Sequence, residues 1–401
     1  MHQLSPAVLN TLARVAKVHT YESHQGIPQS IATGVSRLSE LFIRGDLNTS
    51  TAYLEDPLLR ASYLSYYVPV NLSKVQLLLD ELQPVFPAIP NEEFRVLDLG
   101  GGPGTGALAM VDWCRSTSLP TPSSLRMTVV DHSPQALRLC AKLWQTYTSE
   151  TKGQAAPPLQ TVEHNLERSL PSIIRTVGRE KGYDLIIVQN LLSELYIGSS
   201  DPIGQRTTMV EAVLKCMTPG GSLVLIEPAL RSASRALHHI RDKLLGGHHC
   251  SVYSPCLHDA PCPALIKPDD WCHEERKWEI PASIAQVDRE VGFIKDALKF
   301  SYVILRKDSK TLVPRNADYH RVVSELRVMK GEKRVWLCDE TGRSEIGRQD
   351  KERSTLNASF DDWHRGAIVR VSEIVRKDRK GRCAMVGRID SSGTAEIVRP
   401  A

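Results

Sequence analysis

The chain has 401 residues, 41% hydrophobic and 24% charged, enough to bury a sizeable core and to hold two or three domains. No stretch approaches the roughly 20 apolar residues that span a bilayer, and Met1 to Asn10 lack the basic start and apolar run of an export signal, so export and membrane insertion are not expected. The net charge of +4 is uneven: residues 301–401 carry 22 Lys and Arg against 15 Asp and Glu, a basic tail that suits an anionic partner such as RNA or, equally, a solvated basic face.

Taken in order, residues 1–90 read as a helical region. Leu4, Val8, Leu12 and Val15 recur at helical spacing, as do Val75, Leu78, Leu79 and Leu82. Tyr53, Tyr63, Tyr66 and Tyr67 between them read as core aromatics. From residue 94 short apolar runs alternate with helix-like segments, the pattern of a parallel sheet with crossover helices. Strands are predicted at 95–99, 127–131, 183–188 and 222–227, with a weaker one at 159–162. Helices are predicted at 105–114, at 134–146 after the cap Ser133, and at 205–216. A helix over 232–245, a strand near 249–252, a loop rich in Cys, His and Pro, and a closing strand at 300–305 follow. Beyond Ser309, β-like runs at 334–338, 368–375 and 383–389 predict a small β domain resembling an OB-type barrel.

The expected fold class is therefore α/β, a doubly wound sheet with a helical N-terminal region and a small C-terminal β (OB-like) domain. The expected boundaries are 1–90, 91–308 with a cysteine-rich insertion at 248–273, and 309–401.

The glycine cluster at Val96-Leu97-Asp98-Leu99-Gly100-Gly101-Gly102-Pro103-Gly104-Thr105-Gly106 joins a strand to a helix. A phosphate-binding Walker loop needs Lys-Ser/Thr after its last glycine, and Ala107-Leu108 stand there instead. A dinucleotide site is formally tolerable as Gly102-x-Gly104-x-x-Ala107. The order Asp98-x-Gly100-x-Gly102-x-Gly104, with Asp131 ending the next strand, instead resembles motif I of class I S-adenosylmethionine (SAM) methyltransferases. Glycines let backbone pass close under a ligand. Asp98 is expected as an acceptor near the amino-acid end, and Asp131 as the carboxylate whose two oxygens take both ribose hydroxyls. Asn165, Gln189 and Asn190, at later strand ends, are candidates for the adenine edge and the methyl side. No catalytic residue is identified. Glu194 is a candidate base or a helix cap, so the chain leans toward a SAM-dependent methyltransferase without a catalytic motif.

Nine cysteines with no export signal suit a reducing compartment. Cys114, Cys140, Cys216, Cys338 and Cys383 are scattered, whereas Cys250, Cys256, Cys262 and Cys272 crowd together among Pro255, Pro261 and Pro263. Four thiolates can close a site around a metal or cluster. The absence of paired C-x2-4-C knuckles favours an iron–sulfur cluster over zinc, and His248, His249, His258 and His273 keep zinc as the alternative.

With Trp271-Cys272-His273 and Lys299-Phe300-Ser301-Tyr302, these features resemble the methyltransferase-like assembly factors of the mitochondrial small ribosomal subunit and their bacterial relatives. The resemblance covers most of the chain and implies binding of small-subunit rRNA and a 4Fe-4S cluster held by Cys250, Cys256, Cys262 and Cys272. It implies SAM as cofactor, the small ribosomal subunit's rRNA and proteins as partners, and rRNA methylation or ribosome assembly as function. A monomer is expected. Lack of an Arg-rich, acid-poor leader points to a bacterial cytoplasmic member, or to the mitochondrial matrix for a processed form. The alternatives are an independent small-molecule or protein methyltransferase with structural zinc, and a non-catalytic RNA-binding scaffold.

Overall fold

The computed structural model describes residues 2–17, 28–44, 52–86, 93–119, 122–151, 156–167, 182–315, 318–376, 378–379, 382–383 and 386–401. Contacts divide the chain into two units, Met1–Leu225 with Lys277–Leu298, and Ile226–Arg276 with Lys299–Ala401.

The first unit opens on helices α1 (Pro6–Ala16), α2 (Gln29–Arg44), α3 (Pro57–Ser62) and α4 (Val68–Leu82), with a π-turn at Tyr63–Tyr67 between the last two. Helix α1 starts where the Ser5 side chain accepts from Val8 N and Pro6 supplies a preset φ, and it stops at Lys17 in the left-handed conformation. Leu4, Val8, Leu12 and Val15 are buried, as their spacing predicts.

Strands β1 (Phe94–Leu99), β2 (Leu125–Asp131), β3 (Leu159–Glu163), β4 (Tyr183–Gln189) and β5 (Met217–Pro228) lie in the order β3-β2-β1-β4-β5. The ladders of β1 with β2 and β4, and of β2 with β3, are parallel, with Leu97 opposite Thr128 on one side and Ile186 on the other. Both faces of such a sheet are covered, so β1 and β4 read as continuous apolar runs rather than alternations. Val96, Leu97, Leu185, Ile186 and Ile187 are at most 1% exposed. Crossovers are made by α5 (Thr105–Thr117), α6 (Pro134–Glu150) and α7 (Pro202–Lys215). Ser133 caps α6 as predicted, its hydroxyl accepting from Ala136 N at 3.2 Å. This is the expected class I methyltransferase-like sheet. Its strand order reverses between β1 and β4, the place where such sheets bind ligands beyond their carboxyl ends.

The second unit contains α8 (Arg231–Gly246), β6 (Ser251–Ser254), β7 (Glu274–Lys277) and most of β8 (Ala297–Arg306); α9 (Ala282–Val291) belongs to the first unit. Strand β8 pairs with β7 and runs antiparallel to β6, with Val252 opposite Leu305. A second sheet follows, built from β9 (Tyr319–Val322), β10 (Arg327–Met329), β11 (Glu332–Asp339), β12 (Gly342–Gln349), β13 (Ile368–Val371), β16 (Val386–Arg388) and β17 (Ala395–Arg399), in the order β16-β12-β11-β9-β13-β17 with β10 on β11. The short pair β14 (Asp378–Arg379) and β15 (Arg382–Cys383) stands apart from it. Of the strand predicted at 383–389, Ala384 and Met385 lie outside the described residues. Trp363, Phe360, Val335, Leu337 and Ile346 form the core of this sheet, each fully buried. No helix among the described residues is long and apolar enough to cross a membrane.

Candidate functional site

The chain leaves β1 through a turn in which Gly100, Gly102 and Gly104 all have positive φ (68°, 53° and 82°), a region costly for residues with a Cβ. Gly100 N and Gly101 N donate to Val130 O at 2.8 and 3.1 Å, which ties the turn to β2. Below it lies a cavity of about 460 Å3 lined by Gly100, Asp131, Asn165, Leu191, Glu194 and Gln205, among others.

Asp131 is the last residue of β2. It lines this cavity, and its Oδ2 accepts from Gly102 N at 2.9 Å while Oδ1 accepts from Ser133 N at 2.8 Å. These backbone bonds fix the carboxylate's orientation, and each oxygen keeps further acceptor capacity for a hydroxyl. Asn165 also lines the cavity, with its Oδ1 accepting from Glu167 N at 3.0 Å.

Two expected contacts are placed differently. Asp98 is 1% exposed, and its Oδ2 accepts from Ala107 N at 3.0 Å, so it holds the glycine turn against α5 instead of standing open as an acceptor. Gln189 turns to α4, donating from Nε2 to Asn71 O at 2.9 Å. Its neighbour Asn190 has φ +53°, and its buried Oδ1 has no hydrogen-bond partner. Sequence reasoning missed His132, His164, Glu167 and the 195–199 loop, all of which line the cavity. Their positions directly after β2, β3 and β4 were the available signal.

Burial pushes the Asp98 carboxyl from its ordinary 3.8 up to about 7, with Asp131 adding to the rise and the Ala107 and Gly106 N–H groups opposing it. The folded chain therefore holds a proton that the unfolded chain releases near 3.8. That contribution to stability is fully present below pH 3.8 and is lost as pH rises through 7. At about 1.36 kcal/mol per pH unit the loss is on the order of 4 kcal/mol. Asp98→Asn, which cannot ionise, is expected to gain on wild type between pH 5 and pH 8 in urea unfolding. A difference that stays constant with pH would contradict this.

The second unit brings thiols together. Cys256, Cys262, Cys272 and Cys338 act on one another electrostatically: burial raises the Cys262 thiol, and Cys272 and Cys256 raise it further. Burial raises Cys338 as well, reinforced by Cys256, Cys272 and Cys262. Cys250 is not in this group. Burial pushes its thiol up to about 11, and the charged groups acting on it are Asp259, Arg241 and Lys307. Cys338 thus joins three of the four expected thiols in the electrostatic surroundings of the loop, and no thiol is among the groups acting on Cys250. Cys250 precedes β6 whereas Cys256 follows it, and four extended residues separate their ends by roughly 13 Å.

Helix α8 shapes this loop. Arg235 Nη1 donates to the carbonyls of Ala264, Lys267 and Asp270 at 3.1, 2.7 and 2.7 Å, His238 Nε2 meets Cys272 O at 3.3 Å, and Asp242 Oδ2 accepts from Cys262 N at 2.9 Å. Ser301 Oγ donates to Cys272 O at 2.8 Å. In the second sheet Cys338 stands opposite Arg343 on β12 and Arg321 on β9, and its Sγ lies 3.8 Å from His258 Nε2. Among the described residues no three His, Cys, Asp or Glu side chains converge as a single bound ion requires. Four thiols from two segments, the loop and β11, are of the chemical kind that a multinuclear centre takes as donors.

Residues 58–355 match the family described as mitochondrial small ribosomal subunit Rsm22. Rsm22-cox11 tandem proteins 1 and 2, mitochondrial, of Schizosaccharomyces pombe (strain 972 / ATCC 24843) are each 25% identical over 275 residues, covering 64% of this chain and 33% of theirs. The chain thus spans about a third of the length of the curated relatives it matches. Solved structures with partial likeness include TrmN from Thermus thermophilus (17% identity, TM-score 0.33, 61% of this chain and 53% of that one). Another is precorrin-6y C5,15-methyltransferase from Geobacter metallireducens GS-15 (12%, 0.32, 59% and 88%). Scores of this size do not bear on function.

Proposed function

The chain belongs to the Rsm22 family of the mitochondrial small ribosomal subunit, and from that premise we propose that it is a SAM-binding, iron–sulfur-containing protein that acts on small-subunit rRNA during ribosome assembly. The observation that carries the reading is the cavity under the positive-φ glycine turn, walled on one side by Asp131. A sulfonium ligand with a ribose needs close backbone and a two-oxygen acceptor, and no pyrophosphate has to be held. Glu194 lies on the cavity wall together with Asp131 and Glu167.

Cys256, Cys262, Cys272 and Cys338 are proposed to hold a 4Fe-4S cluster, which supplies a one-electron couple and a covalent stitch between loop and sheet. Zinc remains the competing occupant that metal analysis separates from it. The basic tail, in an OB-type role, is proposed as the RNA-facing part. The word mitochondrial in the names of the fission-yeast relatives supports the organelle over the bacterial cytoplasm as the place of action.

Calorimetry with S-adenosylhomocysteine tests the first claim. The full chain is expected to bind, and Asp131→Ala to bind about 10- to 100-fold more weakly, the effect of roughly 1.5–3 kcal/mol for hydrogen bonds to a charged group. No binding by wild type would sink the SAM reading. Co-sedimentation with small ribosomal subunits, weakening with salt, tests the partner.

A further inference from the structure

Two arginines beside the thiols have donors that nothing satisfies. Arg241 on α8 is 0% exposed. Its Nη1 donates to Asp242 Oδ1 at 2.5 Å and Ala260 O at 2.7 Å and its Nη2 to His258 O at 2.6 Å, yet its buried Nε has no partner. Arg343 on β12 has a side chain 13% exposed, with Nη1 donating to Asp270 Oδ2 at 2.6 Å. Its Nε and Nη2 are buried without partners. A buried N–H left unpaired is costly, more so on a charged group, and such orphans call for an acceptor.

Each of the two guanidiniums acts on a different pair of thiols, and Arg321 on β9 acts on Cys256 as well. Burial opposes the charge of Arg241, but Cys256, Asp242 and Cys262 hold it firmly cationic. Burial likewise opposes Arg343, and Cys272, Asp270 and Cys338 hold it. Arg343 is also the cross-strand neighbour of Cys338 in the β11–β12 ladder, a position set by register alone.

We propose that Arg241 and Arg343 are the positioning residues of the iron–sulfur centre, each donating N–H bonds to the sulfurs of one pair of cysteines. The proposal rests on the cluster reading given above. A four-iron centre in its oxidised state, with four thiolates, carries two negative charges. Asp242 and Asp270 already neutralise the two guanidiniums, so the arginines act through N–H···S bonds, and these stabilise the third negative charge that one-electron reduction by dithionite adds. Hydrogen bonds to sulfur and local charge are established determinants of such potentials. Both arginines therefore raise the reduction potential.

The test uses the full chain, purified anaerobically, with iron analysis and a dye-mediated redox titration followed near 400 nm. Arg241→Gln and Arg343→Gln are each expected to lower the midpoint by at least 59 mV, a tenfold change for a one-electron couple. Lysine at either position keeps the charge, loses the planar fork, and is expected to recover part of the shift. If a Gln variant loads no iron, the corresponding Lys variant must still lie below wild type. A purely structural clip for the 258–260 carbonyls would lower iron content and leave the midpoint of the loaded fraction unmoved, and that result overturns the proposal. A wild-type chain that carries zinc or no metal refutes the cluster reading itself, while a loaded cluster with an unshifted midpoint in every variant refutes only the role of the arginines.

Discussion

Cys338→Ser is expected to abolish the proposed iron–sulfur centre, whereas Cys250→Ser is expected to leave it loaded. This is the sharpest expected result, because the notion of one cysteine-rich loop binding everything predicts the reverse. The three loop thiols Cys256, Cys262 and Cys272 share their surroundings with Cys338, and Cys250 faces Asp259, Arg241 and Lys307 instead. A serine hydroxyl is a poor substitute for a thiolate on iron, so one substitution in the true set removes most of the bound iron. The consequence reaches folding. Thiolate ligation is coupled to folding free energy in structural metal sites, with apparent values of roughly 10–16 kcal/mol for zinc peptides, and losing it also leaves the buried Nε of Arg241 and the Nε and Nη2 of Arg343 without acceptors. Iron content and absorbance near 400 nm measured on both variants decide the matter. Equal loss in the two, or loss only in Cys250→Ser, would restore the loop-only arrangement.

The second large effect separates architecture from ligand contact within one turn. A Cβ at Gly101 would sit 2.7 Å from the Asp98 carboxyl and 2.8 Å from Val129 Cγ1, both buried in the sheet. Gly101→Val therefore forces atoms into a filled core, at a cost of about 1–3 kcal/mol or more. Gly102 differs. Nothing lies within 4 Å of a Cβ built there, and its φ of +53° is the sole penalty, about 1–2 kcal/mol. Gly102→Ala should fold, with a modestly lower Tm, and should lose S-adenosylhomocysteine because the methyl group occupies the path of the ligand. Thermal unfolding and calorimetry together test the pair. A Gly102→Ala chain with wild-type affinity would remove the turn from the binding site.

Legibility from the sequence differed by residue for physical reasons. The alternation of apolar runs and helices located the strands of the first sheet: β1 and β4, buried on both faces, leave an unbroken apolar signature, whereas β3, with Gln160, Thr161 and Glu163 exposed, leaves a weaker one. Asp131 was legible as the end of β2; it lines the cavity while its oxygens accept from Gly102 N and Ser133 N. Asp98 was legible as a position but not as an orientation. A strand-end acid can turn outward or into the following backbone, and the N–H of Ala107 decides it. Gln189 was lost to a partner, the Asn71 carbonyl, supplied by a helix more than a hundred residues earlier. Cys338 was counted among the isolated cysteines, because sheet pairing, not proximity along the chain, carries it to the others.

The place of Cys338 on β11 has a further meaning for the birth of the protein. Its side chain meets Arg343 and Arg321 in only one register of the second sheet, and a slip by a single residue would present Leu337 or Asp339 in its stead. Three loop thiols form an incomplete cradle until that strand is correctly paired. In the proposed centre, metal insertion would act as an inspection of the finished sheet, because a chain with mispaired C-terminal strands would lack its fourth thiol.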